Sequence, residues 1–299
     1  MTQSTLERLT SLRLHQRDGR RAPHKPLLIL LVLGELARCG SSELQWAQTA
    51  DRLSDLIADF GPVSRTGRTQ SAAYPFTRLR SDGIWTLSRD VPMDLVGPLT
   101  RHRVHGRLDA GLEAELRRSP DLLRQVARTL VEKHFPPTIA PDVLLAVGLD
   151  PDSVLQSQVP TQTSTQRRSA RWSAEILLAW DRQCAFCGYD GQLGRATVGV
   201  EAAHVRWWAF DGPNSSDNGL ALCVLHHKLF DFGALGLDDD LRITVSTFFT
   251  SRTVAGRRVY DLHGRRLRPR PGTPVPAPAH IVWHRREVFK GGSLAILPS

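Results

Sequence analysis

The chain has 299 residues, 41% of them hydrophobic and 23% charged, with 39 Lys and Arg against 30 Asp and Glu and a formal charge of +9. That length holds two ordinary domains or one large one, and the balance belongs to a globular chain biased toward anionic partners rather than a disordered one. The longest apolar run, Leu27 to Leu33, is far short of a membrane span, Met1 is followed by polar residues with no signal-peptide pattern, and four cysteines in a chain this long do not make a disulfide scaffold. A cytoplasmic protein is expected, and the membrane and exported disulfide classes fall away.

In chain order, residues 1–150 read as one unit. The spacing predicts a short helix over Leu6 to Leu14, then the basic turn Arg17-Asp18-Gly19-Arg20-Arg21. Pro23-His24-Lys25-Pro26 opens an apolar, buried helix, Leu27 to Arg38, that Gly40 can end, with Cys39 expected as a core thiol. Helical spacing returns over Trp46 to Phe60, and Gly61 to Ser71 is a polar loop containing Arg65 and Arg68. Tyr74-Pro75-Phe76 and Leu79 lead to a hairpin-like Asp82-Gly83 and a strand at Ile84 to Leu87. Leu108 to Leu116 and Pro120 to Phe135 read as two more helices. Residues 151–170, rich in Ser, Thr and Gln, read as a flexible linker.

Residues 171–299 read as a second unit. A helix is expected over Trp172 to Trp180, a strand over Ala196 to His204, a loop over Gly212 to Asn218, and a knuckle running into a helix over Ala221 to Phe230. Arg258-Val259-Tyr260 and Ile281-Val282-Trp283 look strand-like. Residues 171–251 carry 6 basic and 10 acidic side chains, whereas 252–299 carry 10 and 2. A cation site beside a phosphate-binding arm has this distribution, and so does a solvated tail that only keeps the protein soluble.

Cys184-x2-Cys187 and Cys223-x2-His226 are two ligand pairs with the spacing of a structural zinc site. A redox role for Cys184 and Cys187 lacks a thioredoxin-like context. His227 lies about 100° farther around the emerging helix and is free for another task. Asp231, four residues on, shares its face, and an imidazole with a carboxylate suits a hard divalent cation. A plain helix-end role before Gly233 is the alternative for Asp231.

His204, Asn218 and His227 follow one another between these knuckles. With the strings CAFC, EAAHV, DNGLALC and HHKLFD, the stretch from Arg171 to Leu237 resembles the HNH nucleases and their ββα-metal fold, and Ala279 to Gly291 (AHIVWHRREVFKG) resembles the closing segment of such proteins. The resemblance implies His204 as a general base toward water and His227, with Asp231, as ligand of one catalytic divalent ion: Mg²⁺, Mn²⁺ or another divalent transition metal. It gives Asn218 an orienting role and implies 5′-phosphate and 3′-hydroxyl products. Ala203 stands where many members carry Asp or His as a ligand. The ion is then left to His227, Asp231, water and substrate phosphate, or Glu201 contributes from two residues upstream.

The strings APHKPLLILLVLG, YPFTRLRSDGIW and EKHFPPTI, within residues 5–150, resemble the sulfur-binding domain of McrA-type (type IV) phosphorothioate-dependent restriction endonucleases. That resemblance implies phosphorothioated double-stranded DNA as partner and a defensive role against DNA carrying the mark. Sulfur is larger, more polarizable and less tightly hydrated than the oxygen it replaces, so an apolar cup accepts it and penalises desolvation of a charged oxygen. By resemblance, Tyr74 and Pro75 form the cup, His24 and Lys25 hold the remaining oxygen and base edges, and Arg65, Arg68, Arg78 and Arg80 contact backbone or base, although Arg78 stands where the family pocket has a small residue. The expected fold class is α+β: a recognition domain of helices and a small sheet, a linker, and a ββα-metal domain with structural zinc. One nuclease site per chain and two strands to cut imply a homodimer or successive nicking. An HNH nuclease reading another modification or plain sequence, and a non-catalytic zinc-stabilised DNA-binding protein, are the other readings.

Overall fold

In the computed structural model the apolar run becomes the axis of the first unit: Leu27 through Leu33 are each at most 1% exposed. The structure describes residues 4–14, 22–62, 71–155, 164–267 and 269–295, with the side chains of 164–169 excluded. It divides into two units, Met1–Gln158 and Val159–Ser299. The basic turn at 17–21 and the two loop arginines Arg65 and Arg68 lie outside the described residues.

Unit 1 begins with α1 (Thr5–Thr10), capped by Ser4 and Glu7 in a reciprocal capping box. Helix α2 (His24–Cys39) starts three residues earlier than expected, because Pro26 is tolerated in a first turn whose N–H groups have no intrahelical partner; Gly40 ends it in the left-handed conformation, φ 73°. A Cβ on Gly34 would sit 1.9 Å from the Val147 carbonyl oxygen, so this glycine lets α2 press on the end of a later helix. Cys39 is exposed rather than a core thiol, since the last turn of α2 leaves the core. A short strand β1 (Leu44–Gln45) leads into α3 (Trp46–Phe60), which buries Leu53, Leu56, Ile57 and Phe60 on one side.

Tyr74 and Pro75 lie in a helix, α4 (Ala73–Arg78), which runs into a 3₁₀ turn at Leu79–Asp82. Asp82-Gly83 is therefore no hairpin: Gly83, φ 69°, caps that turn, and β2 (Trp85–Leu87) pairs with a later strand. After α5 (Val96–Arg101), strand β3 (His105–Leu108), which ends where the next helix was expected to begin, forms the antiparallel sheet β1-β3-β2. Helices α6 (Ala110–Arg118), α7 (Pro120–His134), α8 (Ala140–Val147) and α9 (Pro151–Leu155) complete the unit, α7 beginning with Ser119 as cap and Pro120 as first residue.

The expected linker is helical at both ends, in α9 and in α10 (Ser164–Ala179) of unit 2. Its Ser, Thr and Gln composition hid Val154, which is 1% exposed; the helix expected from Trp172 is found, begins earlier, at Ser164, and buries the stripe Trp172, Ile176 and Trp180 four residues apart. That stripe packs on a two-stranded antiparallel sheet. After the small hairpin β4 (Gln192–Leu193) and β5 (Ala196–Thr197), strand β6 (Val200–His204) pairs with β7 (Gly219–Cys223) in a register running from Val200 opposite Cys223 to His204 opposite Gly219. Helix α11 (Val224–Asp231) follows directly, which makes β6-β7-α11 a ββα unit.

A second hairpin, β8 (Leu235–Leu237) and β9 (Ile243–Val245), precedes a short α12 (Val254–Arg257). The two strand-like segments near the end are otherwise: Tyr260 lies in a 3₁₀ turn and Ile281 to Trp283 in α13 (Pro278–Glu287). Pro278 suits a helix's first turn, and the buried set Ile281, His284 and Val288 follows helical rather than alternating spacing. The fold is α+β with small antiparallel sheets, and among the described residues no helix is long and apolar enough to cross a membrane.

Candidate functional site

Cys184, Cys187, Cys223 and His226 come together in unit 2, their four ligand atoms all within 4.8 Å of one another. The Cys184-Ala185-Phe186-Cys187-Gly188 knuckle closes by the Gly188 N–H donating to Cys184 O, with Gly188 at φ 78°, and the Ala185 N–H donates to Ala221 O of β7. His226 Nδ1 stands 3.4 Å from Cys184 Sγ and 3.2 Å from Cys223 Sγ. A tetrahedral zinc with bonds of about 2.3 Å to sulfur and about 2.0–2.1 Å to nitrogen needs sulfur–nitrogen edges of roughly 3.5 Å, so this donor set fits that ion. Hydrogen bonds from Cys187 and Cys223 hold the Cys184 thiol well below its ordinary range, and hydrogen bonding with Cys184 and then Cys223 pushes the Cys187 thiol up.

The second cluster surrounds His204 and His227. The ring of His204 stacks on Trp172 of α10 with centroids 3.7 Å apart and planes 16° from parallel. Its Nε2 faces Asn214 Oδ1 at 2.8 Å. An amide oxygen only accepts, so Nε2 carries the proton and Nδ1 is left as the basic nitrogen. Burial, and then the nearby His227 charge, lower the His204 pKa against the opposing Asn214 bond, which favours the neutral ring.

Asn218 is fully buried: Oδ1 accepts from the Arg206 N–H at 2.8 Å, and Nδ2 donates to the carbonyls of Arg206 and Pro213 at 3.0 Å each. It thus ties the loop between β6 and β7 to itself, the loop that carries Asn214.

On the other side of the strand, Glu201 and Ala203 share a face by the two-residue alternation of β structure. Glu201 Oε2 lies 2.8 Å from His227 Nδ1, and Asp231 Oδ2 lies 3.4 Å from its Nε2. Burial disfavours the charged imidazole of His227, but the Glu201 hydrogen bond and the charges of Asp231 and Glu201 outweigh it and raise its pKa. Asp231 is 3% exposed, and its Oδ1 accepts from Trp207 Nε1 at 2.9 Å, so its carboxylate is already committed. Glu201 is the half-exposed one, its side chain 49% accessible. Asn214, Trp172 and Trp207 escaped the sequence reading. Nothing distinguishes Asn214 among loop residues, and only the adjacent Trp207-Trp208 pair hinted that this loop has an inside and an outside, with Trp207 1% and Trp208 56% exposed.

In unit 1 the expected DNA residues separate. His24 and Tyr74 meet edge to face, centroids 5.9 Å apart, and the Arg78 guanidinium sits 5.0 Å from the Tyr74 ring centroid. Arg78 is also held by both oxygens of Asp94, at 2.6 Å for the closest contact. Pro75 is buried within α4, which leaves the half-buried Tyr74 ring as the accessible part of the expected cup. Arg80 donates to the carbonyls of Thr77 and Val91 and pairs with Asp90, bracing the turn after α4. Lys25 is not placed to hold a phosphate: it is 5% exposed, 2.5 Å from Asp82 Oδ2 and 3.1 Å from Arg13 O. Removing one partner of such a buried pair strands the other charge, so Lys25→Ala should destabilise unit 1 by about 3–5 kcal/mol. Thermal melting checks this, and an unchanged melting temperature would return Lys25 to the DNA.

The family model for the ScoMcrA-like DNA sulfur-binding domain matches residues 2–152, and that for HNH endonuclease matches residues 184–238. No curated protein matches the chain by sequence. A solved structure of the sulfur-binding domain of ScoMcrA complexed with phosphorothioated DNA is 20% identical, covers 52% of this chain and 100% of its own, and gives a TM-score of 0.42. The modification-dependent TagI restriction endonuclease is 22% identical over 47% of this chain and 41% of its own, TM-score 0.32. The type IV phosphorothioation-dependent restriction endonuclease ScoMcrA is 20% identical over 57% and 38%, TM-score 0.40. This chain therefore spans about two fifths of those two endonucleases. With residues 2–152 of its 299 matched by that model, the chain belongs to the ScoMcrA-like DNA sulfur-binding family and carries an HNH endonuclease domain C-terminal to the sulfur-binding module.

Proposed function

We propose that this protein is a modification-dependent DNA endonuclease: residues 1–150 bind phosphorothioated duplex DNA, and residues 171–299 hydrolyse nearby phosphodiesters. The observation that carries the reading is the ββα unit holding His204, Asn218 and His227 around one hairpin, on the same chain as a sulfur-binding module. His204 acts as general base through Nδ1, its ring fixed by Trp172 and Asn214 and kept neutral by burial. Asn218 holds the loop that presents Asn214.

His227 and Glu201 would hold the catalytic divalent ion, such as Mg²⁺ or Mn²⁺, which would stabilise the charge on the phosphorane and the departing oxygen. Their 2.8 Å separation suits two neighbouring ligands of one ion with bonds of about 2.1 Å. Glu201 then supplies the carboxylate that Ala203 lacks, on the same strand face. Asp231, read from sequence as a ligand, is better spent orienting His227 from behind, itself oriented by Trp207. Zinc in the Cys184–Cys187–Cys223–His226 cluster has a structural role.

The sulfur is read by the Tyr74 ring edge-on to His24, with Arg78 near it for the remaining phosphate charge. A second reading, a zinc-stabilised DNA binder without catalysis, rests on Ala203; the Glu201 carboxylate 2.8 Å from His227 Nδ1 supports the catalytic reading against it.

The deciding experiment measures affinity for one duplex with and without a single phosphorothioate. Preference for the marked duplex, reduced by about tenfold or more in Tyr74→Ala through loss of ring contact worth on the order of 1–3 kcal/mol, is expected. Equal affinity for both duplexes removes the sulfur reading and leaves an HNH nuclease with another target.

A further inference from the structure

Beyond residue 238, outside the HNH match, unit 2 holds arginines of two kinds: Arg270, Arg285 and Arg286 pair with Asp181, Asp239 and Glu287, as others do elsewhere. Arg78, Arg80, Arg107 and Arg171 each pair with a carboxylate. Arg242, Arg257, Arg258 and Arg266 are exposed, and among the described residues none has a carboxylate within 4.0 Å. Two of them are set against each other. The segment 265–267 adds to the edge of β9: the Ile243 N–H donates to Arg265 O, and the Leu267 N–H to Leu241 O. This makes Arg242 and Arg266 direct partners in an antiparallel bridge.

Like charges directly opposite each other on antiparallel strands destabilise a sheet. In the preceding turn Asp238 Oδ1 accepts from the backbone N–H groups of Asp240 and Arg242 and Asp239 pairs with Arg285, and none of the carboxylates of Asp238, Asp239 and Asp240 forms an ion pair within 4.0 Å with Arg242 or Arg266. Arg242 directs one guanidinium nitrogen to Gly264 O, which fixes the side chain without neutralising it. A mere solubility tail needs no such ordered, repelling pair. An uncompensated pair of planar, forked cations on a strand edge is what a polyanion with regularly spaced phosphates neutralises.

We propose that Arg242 and Arg266 form a second DNA contact that grips the phosphate backbone irrespective of sulfur. This rests on the reading of the chain as DNA-acting, and it divides the labour: unit 1 selects the mark, and this edge supplies sequence-neutral hold for the nuclease unit. It takes duplex DNA as ligand because the contact is charge and fork geometry, with no base readout.

The test uses the full chain, loaded with its metals, and two duplexes of one sequence, unmarked and singly phosphorothioated. Affinity is measured across a salt series for wild type, for Arg242→Ala/Arg266→Ala, and for the charge-reversed Arg242→Glu/Arg266→Glu. Each lost phosphate contact lowers the slope of log affinity against log salt by about 0.9, so the double alanine variant should lose roughly 2 from the slope on both duplexes, with the marked-to-unmarked ratio intact. The charge-reversed pair should bind more weakly still. A slope unchanged in both variants, with melting temperature retained, overturns the proposal. If wild type fails to prefer the marked duplex while the slope still drops, the sulfur reading falls and this contact stands.

Discussion

Stripping the metal from the four-ligand knuckle, or replacing Cys184 by Ser, is expected to unfold residues 159–299 and leave residues 1–158 folded. A structural zinc contributes about 10–16 kcal/mol of apparent binding free energy at neutral pH, as much as the whole stability of an ordinary domain of about 5–15 kcal/mol. Unit 2 has reason to depend on it. Cys184 and Cys223 are themselves core residues, joining Phe186, Phe230 and the stripe of α10 in one cluster. Without a cation, three sulfurs and an imidazole are left crowded within 4.8 Å of one another. The cluster also ties the knuckle to the end of β7 and the first turn of α11, and His227 rides on that turn. Loss of the ion should therefore abolish cleavage together with the fold of unit 2. The two-unit division makes this visible as the loss of one of two melting transitions, with limited proteolysis mapping the surviving fragment. A metal-free protein whose transitions both survive unshifted would sink the structural role of the cluster.

The residues that were legible in the sequence are those whose chemistry demands a fixed spacing. Zinc ligands two residues apart, the His…Asn…His order and an apolar run seven residues long each have few structural solutions, and they land where expected. The misreadings share a cause: local composition was outvoted by tertiary burial. Ile281-Val282-Trp283 has strand-like residues, yet α13 puts Ile281, Trp283 and His284 against other elements, with His284 stacked on Phe230 at 3.7 Å. Lys25 was assigned to the phosphate by resemblance, as one of a basic pair with His24. Its carboxylate partner Asp82, 57 residues away, was invisible until the 3₁₀ turn after α4 delivered it. Asn214 and Trp207 illustrate a further limit: they act through an oxygen and an indole N–H aimed at His204 and Asp231, and no periodicity announces where a loop side chain points. The candidate ligands and the candidate base were thus readable, while the residues that hold them in place were not.

His204→Ala is expected to lower the rate of DNA cleavage by about 10²–10⁴, the usual worth of a positioned general base, without weakening affinity for the marked duplex. The separation follows from the domain division: His204 belongs to the hairpin of unit 2, whereas the match to the sulfur-binding domain covers residues 2–152. Because the ring stacks on Trp172, truncation opens a gap against α10, and a fall in melting temperature would accompany the loss of rate. Asn214→Ala controls for this. It keeps the stacked ring but releases Nε2, so the neutral ring can carry its proton on either nitrogen; the rate should drop less than in His204→Ala while stability is nearly retained. Metal binding isolates the remaining roles. Calorimetric titration with Mn²⁺ should be unchanged in His204→Ala and lost in Glu201→Gln, where the half-exposed carboxylate beside His227 becomes neutral. Asp231→Asn should keep a measurable but weaker isotherm, since it orients His227 rather than meeting the ion. If Asp231→Asn lost the ion and Glu201→Gln kept it, the two carboxylates would exchange places and Ala203 would remain without a substitute. Undiminished cleavage by a folded His204→Ala would move the base elsewhere in the hairpin.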